Sequence, residues 1–127
     1  MLRLAGQAPS LRRPLSSNLV PRTSLPDASV LFAVLFTDNA GMGALRAEHL
    51  EAHIAWVEDN KSWVLVAGSL RHEPQDVPRG GLWVVEAESK NDVLEKMKSD
   101  PFYCCGLRKS VEVLHWSKAL QHHKSLV

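Results

Sequence analysis

The chain has 127 residues, which is enough for one domain with a hydrophobic core and too few for two. Apolar residues make up 45% of the chain and charged residues 23%, a balance typical of a folded, soluble domain. No apolar run approaches the roughly 20 residues that a membrane-spanning helix needs, so we expect no membrane partner.

Residues 1–26 differ from the rest of the chain in charge. They contain four arginines, four serines, four prolines and no acidic residue, whereas residues 27–127 contain 11 basic and 14 acidic residues. An Arg-rich, Ser-rich stretch without acids is typical of an organelle transit peptide. We therefore expect residues 1–28 to direct mitochondrial import, with plastid import or a disordered leader on a cytoplasmic protein as alternatives. The slightly acidic body predicts no nucleic-acid partner, because phosphate binding requires a concentrated basic face.

The body, expected to span residues 29–117 before a polar tail at 118–127, divides into alternating elements. Hydrophobic runs and periodicity, together with turn-forming residues, define their approximate bounds. In chain order we predict a strand at 30–36, a helix at 44–60, a strand at 62–70, a polar loop at 71–81, a strand at 82–88, a helix from Ser89 to about Lys98, and a strand at 107–116. Ser89 and Asp92 match a helix-opening pattern, and Pro101 follows the second helix.

This βαββαβ order predicts the α+β class and a ferredoxin-like fold. Such a fold has a four-stranded antiparallel sheet with both helices on one face. A sheet with one face in water should alternate apolar and polar residues, but VLFAVLF (30–36) and WVLVA (63–67) do not alternate. Because two helices cover only one face, we expect a second copy of the sheet to cover the other. The sequence therefore predicts a homodimer.

The first helix, LRAEHLEAHIAWVEDN (45–60), places polar side chains within its apolar face. At about 100° per residue, Arg46, His49 and His53 fall inside the apolar arc, whereas most acidic residues fall outside it. Three interpretations remain open: hydrogen-bonded core histidines, a metal site using residues i and i+4, or acid–base chemistry by an imidazole in a pocket. No HExxH pattern and no third metal ligand are evident, so no metal is expected.

Two adjacent cysteines, Cys104 and Cys105, make neither a disulfide framework nor a CxxC pair. Small buried side chains are the favoured interpretation, with a redox role as the alternative.

Three segments, RAEHL (46–50), AGSL (67–70) and DPFYCCG (100–106), follow one another along the body. Their order and spacing resemble the Arg-x-x-His-Leu, Ala-Gly-Pro and Asp-Pro-aromatic-x-x-x-Gly segments of YciI-like proteins, which contain the YCII-related domain. The resemblance covers roughly residues 29–116 and implies a dimeric α+β barrel. By motif position, the histidine–aspartate pair of that family falls on His49 and Asp100.

The resemblance implies a small enzyme of the lyase, dehydrohalogenase or isomerase kind. In it, His49 and Asp100 are expected to transfer protons on a small, hydroxylated or aromatic substrate. Arg46, Ser69 and Phe102 are the expected substrate-binding residues, although Ser69 stands where the family usually has proline and Phe102 is also a candidate core residue. No cofactor is expected. The alternative is a non-catalytic dimeric module that binds a metabolite or a protein.

Overall fold

The computed structural model describes residues 30–119, so the expected leader and most of the expected C-terminal tail lie outside the described residues. The predicted order of elements is confirmed, and each predicted bound lies within two residues of the observed one. The elements are β1 (Val30–Asp38), α1 (Gly43–Asp59), β2 (Val64–Leu70), β3 (Gly80–Ala87), α2 (Lys90–Lys96), a 3-10 turn (Met97–Ser99), α3 (Pro101–Cys104) and β4 (Arg108–His115). The short helix α3 was not predicted.

The four strands form one antiparallel sheet in the order β2-β3-β1-β4. This is the strand order of the ferredoxin-like fold, and the predicted α+β class is correct. The pairing of β1 with β4 shifts register between Thr37 and Asp38, so that Asp38 lies opposite Arg108. The irregularity brings these two opposite charges together at one end of the sheet.

The hydrophobic core lies between one face of the sheet and the helices. Phe32, Val34 and Trp83, which share a face by strand register, are at most 1% exposed. Helix α1 adds Trp56 and Val57 to this cluster, and the α2 region adds Val93 and Met97. The helices therefore cover the face that the buried aromatic residues of β1 and β3 define.

Alternate residues of the strands point to the opposite face of the sheet, and this open face is largely apolar, although it also carries the exposed Glu86 and Glu112. By register it includes Ala33, Leu35 and Leu82, which are half-buried, and Val66 and Leu114, which are 44% and 40% exposed. The non-alternating strand sequences thus reflect apolar residues on both faces, as expected from the sequence.

The chain between α2 and β4 turns around Asp100. Helix α2 begins as predicted, because the Ser89 hydroxyl accepts a hydrogen bond from the backbone N–H of Asp92 at 3.0 Å. Pro101 does not simply end the preceding helix; it occupies the first turn of α3, where its missing N–H costs nothing. Asp100 caps α3 through the Phe102 N–H at 3.1 Å. In this segment Cys104 is exposed and Cys105 half-buried, so the expectation that both are buried is wrong.

Candidate active site

A cavity of about 590 Å³ lies between α1 and the β2–β3 side of the sheet. Its mouth is apolar: Leu50 and Ile54 of α1 and Val77 of the loop between β2 and β3 are 41%, 56% and 61% exposed. Its inner wall is polar and aromatic, and is formed by Arg46, His53, Trp83, Phe102 and Arg108. The cavity is large enough for a small organic molecule.

His53, on the inner wall of the cavity, forms a buried pair with Asp100. His53 Nδ1 donates a hydrogen bond to Asp100 Oδ1 at 2.7 Å, and the two side chains are 12% and 1% exposed. The same oxygen accepts the N–H of Phe102, so the cap of α3 also holds the carboxylate in place. Because the bond to Asp100 occupies Nδ1, Nε2 is the ring nitrogen that remains available as a base.

Aromatic rings fix the plane of the imidazole. The rings of His53 and Phe102 stack with centroids 4.0 Å apart and planes 13° apart, and Trp83 is nearly parallel to His53 at 6.3 Å. Phe102 and Trp83 are both buried, so the packing of the core holds both rings in place. The packing therefore orients His53 from two directions, while the hydrogen bond to Asp100 fixes its tautomer.

Two arginines share one carboxylate beside this pair. Arg46 donates from Nη2 to Asp38 Oδ2 at 3.0 Å, and Arg108 donates from Nη1 to Asp38 Oδ1 at 2.9 Å. Both guanidinium groups also lie near the Phe102 ring, with Cζ at 4.9 Å for Arg46 and 5.1 Å for Arg108 from the ring centroid. Phe102 thus contacts the imidazole and both cations.

Arg108 has fewer hydrogen-bond partners than Arg46. Its side chain is 4% exposed, and its Nε is buried without a hydrogen-bond partner among the described residues. Burial lowers the pKa of Arg108 below its ordinary value, against the raising effect of the hydrogen bond and charge of Asp38. The guanidinium stays charged at neutral pH, because arginine is not deprotonated in proteins.

The structure separates the predicted histidine from the predicted carboxylate. The expected pairing of His49 with Asp100 is corrected, because Asp100 pairs with His53. His49 is one-third exposed, with Nε2 4.0 Å from Glu48, and is not among the residues that line the cavity. The helix geometry explains the difference. His53 lies only about 20° around the helix from Arg46, whereas His49 lies about 60° away in the same direction.

The three expected substrate-binding residues all line the cavity. Arg46 and Phe102 belong to the inner wall, as described above. Ser69 is exposed at the rim, on the edge strand β2, and its hydroxyl accepts a hydrogen bond from Arg71 Nη2 at 2.6 Å. Their role in binding a substrate remains a prediction.

The sequence analysis did not identify Arg108 or Asp38 as candidate site residues. One signal for His53 was present in the sequence: Arg46 and His53 are seven residues apart, which places them on one line of a helix. No comparable signal marks Arg108 and Asp38, because strand register brings them together across 70 residues.

The described residues contain no group of three or more His, Cys, Asp or Glu side chains that could hold a metal ion. None of the helices in residues 30–119 is long and apolar enough to cross a membrane.

A family model for the YCII-related domain matches residues 30–117. Among solved structures, the chain is similar to 5-chloro-2-hydroxyhydroquinone dehydrochlorinase (TftG) from Burkholderia phenoliruptrix AC1100, in complex with 2,5-dihydroxybenzoquinone. The two are 28% identical with a TM-score of 0.62, and the match covers 68% of this chain and 93% of the dehydrochlorinase.

Two further matches are weaker. An antibiotic biosynthesis monooxygenase of Bacteroides thetaiotaomicron is 11% identical, with a TM-score of 0.49 and coverage of 78% of this chain and 99% of the other. A dimeric protein with a ferredoxin-like fold from Bacteroides fragilis is 14% identical, with a TM-score of 0.42 and coverage of 72% and 98%. Nothing about this chain is inferred from either. Comparison with curated proteins gave no significant match.

Proposed function

The chain belongs to the YCII-related domain family, and from this premise we propose that it is a small enzyme that transfers protons on a hydroxylated aromatic or quinone-like molecule. The observation that carries the proposal is the 2.7 Å hydrogen bond between His53 Nδ1 and Asp100 Oδ1 on the wall of a cavity. A neutral imidazole oriented by a buried carboxylate is the arrangement of a general base.

His53 Nε2 accepts a proton from a substrate hydroxyl in the proposed reaction. Asp100, 1% exposed and hydrogen-bonded to the other ring nitrogen, stabilises the imidazolium that forms. Arg46 lies on the same line of α1 and supplies positive charge near the resulting oxyanion. Trp83 and Phe102 contribute aromatic carbon to the inner wall, which suits an apolar ring.

The similarity to a dehydrochlorinase suggests the reaction class. In elimination from a chlorinated hydroxyhydroquinone, the substrate class of that enzyme, one hydroxyl proton first moves to the chlorine-bearing ring carbon while its own oxygen becomes a carbonyl. A second hydroxyl then gives up its proton, its O–H electrons form the other quinone carbonyl, the ring double bond shifts toward the chlorinated carbon, and chloride leaves with the C–Cl bonding pair. The products together equal the substrate, so no oxidant or cofactor is needed. We extend elimination of this kind, and not a particular substrate, to this chain.

A turnover assay with matched variants tests the proposal. Purified protein is mixed with 5-chloro-2-hydroxyhydroquinone, and chloride release and quinone absorbance are followed over time. His53→Gln should lower kcat/KM by about 10²- to 10⁴-fold, the usual contribution of a general base. His49→Gln is the control on the same helix and should retain most activity, because His49 does not line the cavity.

The outcomes of this assay decide the role of His53. Equal chloride release by wild type and His53→Gln, or a larger loss in His49→Gln, contradicts the assignment of His53. If wild type releases no chloride from any of several halogenated hydroquinones yet binds them, a metabolite-binding module becomes the better description.

We also propose that the protein is a homodimer whose two sheets pack through their open faces. The apolar residues of that face, Val66 and Leu114 among them, are 44% and 40% exposed in the single chain. Burial of such surface is the main favourable term in stable association.

Mitochondrial import directed by residues 1–28 is proposed on their composition alone.

A further inference from the structure

Arg108 combines deep burial with an incomplete set of partners. Its side chain is 4% exposed, and its Nη1 donates to Asp38 at 2.9 Å, but its buried Nε has no partner among residues 30–119. A buried charged group without its full set of hydrogen bonds is costly, and such groups need an explanation. One explanation is a ligand that completes the set.

The charges around Arg108 leave room for an added anion. Arg46 and Arg108 together carry two positive charges, and the carboxylate that both contact is Asp38. Asp100 is hydrogen-bonded to His53, and Glu58, the acidic residue that lines the cavity, forms an ion pair with Lys61. When the imidazole accepts a proton, the two arginines, the two aspartates and His53 carry a net charge of +1. The wall is therefore suited to a substrate that becomes negative as His53 becomes positive.

Arg108 is one of the residues that line the cavity, and aromatic rings pack against its guanidinium. The guanidinium lies over the Phe36 ring at 4.2 Å and 5.1 Å from the Phe102 centroid, so aromatic faces support it from within the core. On β3 the neighbouring residue is Gly81, and a Cβ built there would lie 3.8 Å from Arg108 Nη1. Because Gly81 has no side chain, nothing from this position stands between the guanidinium and the cavity.

We propose that Arg108 binds an anionic oxygen of the substrate at the inner end of the cavity and makes the enzyme selective for compounds with an acidic enol or phenol hydroxyl. The proposal rests on the proposed function for the place of His53, and it adds the residue and the chemical class that set specificity. Arg108 holds the ionised oxygen, Phe102 and Trp83 contact the ring, and His53 reaches a neighbouring hydroxyl.

The test compares two ligands of similar shape. In 2,5-dihydroxybenzoquinone the hydroxyls ionise readily, because each is conjugated through the ring to a carbonyl. In 2,5-dimethoxybenzoquinone methoxy groups replace the hydroxyls, so the molecule has no proton to lose at these positions. Calorimetric titration of the full protein should show tighter binding of the ionisable quinone. A charge-assisted hydrogen bond that is lost costs about 10- to 100-fold in affinity.

Three variants test whether Arg108 causes the tighter binding of the ionisable quinone. Arg108→Met should weaken binding of the dihydroxyquinone by about 10- to 100-fold and leave binding of the dimethoxyquinone unchanged. Arg108→Lys keeps the charge but loses the planar guanidinium. Its affinity for the dihydroxyquinone should therefore lie between those of wild type and Arg108→Met. Lys109→Met removes a positive charge from the adjacent exposed residue of β4 and should behave like wild type.

The outcomes separate this inference from the proposed function. If the dihydroxyquinone preference is lost in Arg108→Met, the inference is supported even when wild type shows no turnover. If folded Arg108→Met retains the preference, or if wild type binds neither quinone or both equally, the inference is wrong even when chloride is released. Thermal unfolding of each variant is measured first; should Arg108→Met not fold, an unchanged preference in Arg108→Lys counts against the inference and a reduced one supports it.

Discussion

Asp100 Oδ1 lies 2.7 Å from His53 Nδ1 across 47 residues of the chain, and the same oxygen caps helix α3. The carboxylate therefore has a structural role in the cap and, in the proposed reaction, a chemical role beside His53. The cap fixes its position through the local backbone, and the histidine reaches it from the first helix. Substitutions at Asp100 can separate these two roles.

Asp100→Asn should keep the fold and lose activity. The amide oxygen can accept both hydrogen bonds that end on Oδ1, but it carries no charge to stabilise an imidazolium. We expect kcat/KM to fall about tenfold or more, in line with the difference between charged and neutral hydrogen bonds. Thermal unfolding and the chloride assay measure the two effects, and full activity in a folded Asp100→Asn protein would show that the charge is dispensable.

Asp100→Ala should lose both roles. Removal of a helix cap costs about 0.5–2 kcal/mol in the free energy of unfolding, and His53 Nδ1 is left buried without its partner. Chemical denaturation should therefore rank Asp100→Ala below Asp100→Asn. Equal stability of the two variants contradicts the capping role.

Phe102→Leu should weaken both the fold and the orientation of His53. The ring is 1% exposed and stacks on the imidazole at 4.0 Å, and such ring pairs contribute about 0.5–1.5 kcal/mol beyond their buried area. Tyr103→Leu is the matched control, because Tyr103 is the next residue of α3 and is 41% exposed. Denaturation midpoints of the two variants should differ clearly; coincident midpoints argue against a supporting role for Phe102.

Gly80→Ala should destabilise the sheet. A Cβ at this position would clash with the carbonyl oxygen of Phe36, so the β1–β3 pairing must shift to admit it. Overpacking of this kind costs about 1–3 kcal/mol. Gly68→Ala is the control, since nothing lies within 4 Å of the Cβ there. A Gly80→Ala protein that is as stable as the control would show that the two strands separate easily.

Leu114→Asp should convert the proposed dimer into a monomer. Leu114 lies on the open face of β4 and is 40% exposed, so an interface between two sheets would bury the new carboxylate without a partner. Light scattering on size-exclusion fractions measures the mass. Val77→Asp changes a more exposed residue of the loop before β3 and should leave the dimer intact. A wild-type monomer at micromolar concentration contradicts the dimer itself.

The sequence by itself determined the fold. The alternation of apolar runs with one amphipathic and one capped helix specifies the βαββαβ order, because strand and helix periods differ and turn residues separate them. Asp100 was identified by its position in the segment DPFYCCG, which resembles a family motif. Family segments in the same order supplied the expectation of a histidine–aspartate pair.

Only the tertiary structure decided which histidine forms the pair and which arginine joins it. His49 and His53 differ by about 40° around α1, and the rotation of that helix is set by how Trp56 and Val57 pack on the core, which a single helix does not encode. Arg108 reaches Asp38 because an irregular register between β1 and β4 places them opposite each other. Contacts between elements distant in the chain depend on packing and register, and therefore emerge only when the sheet and helices are assembled.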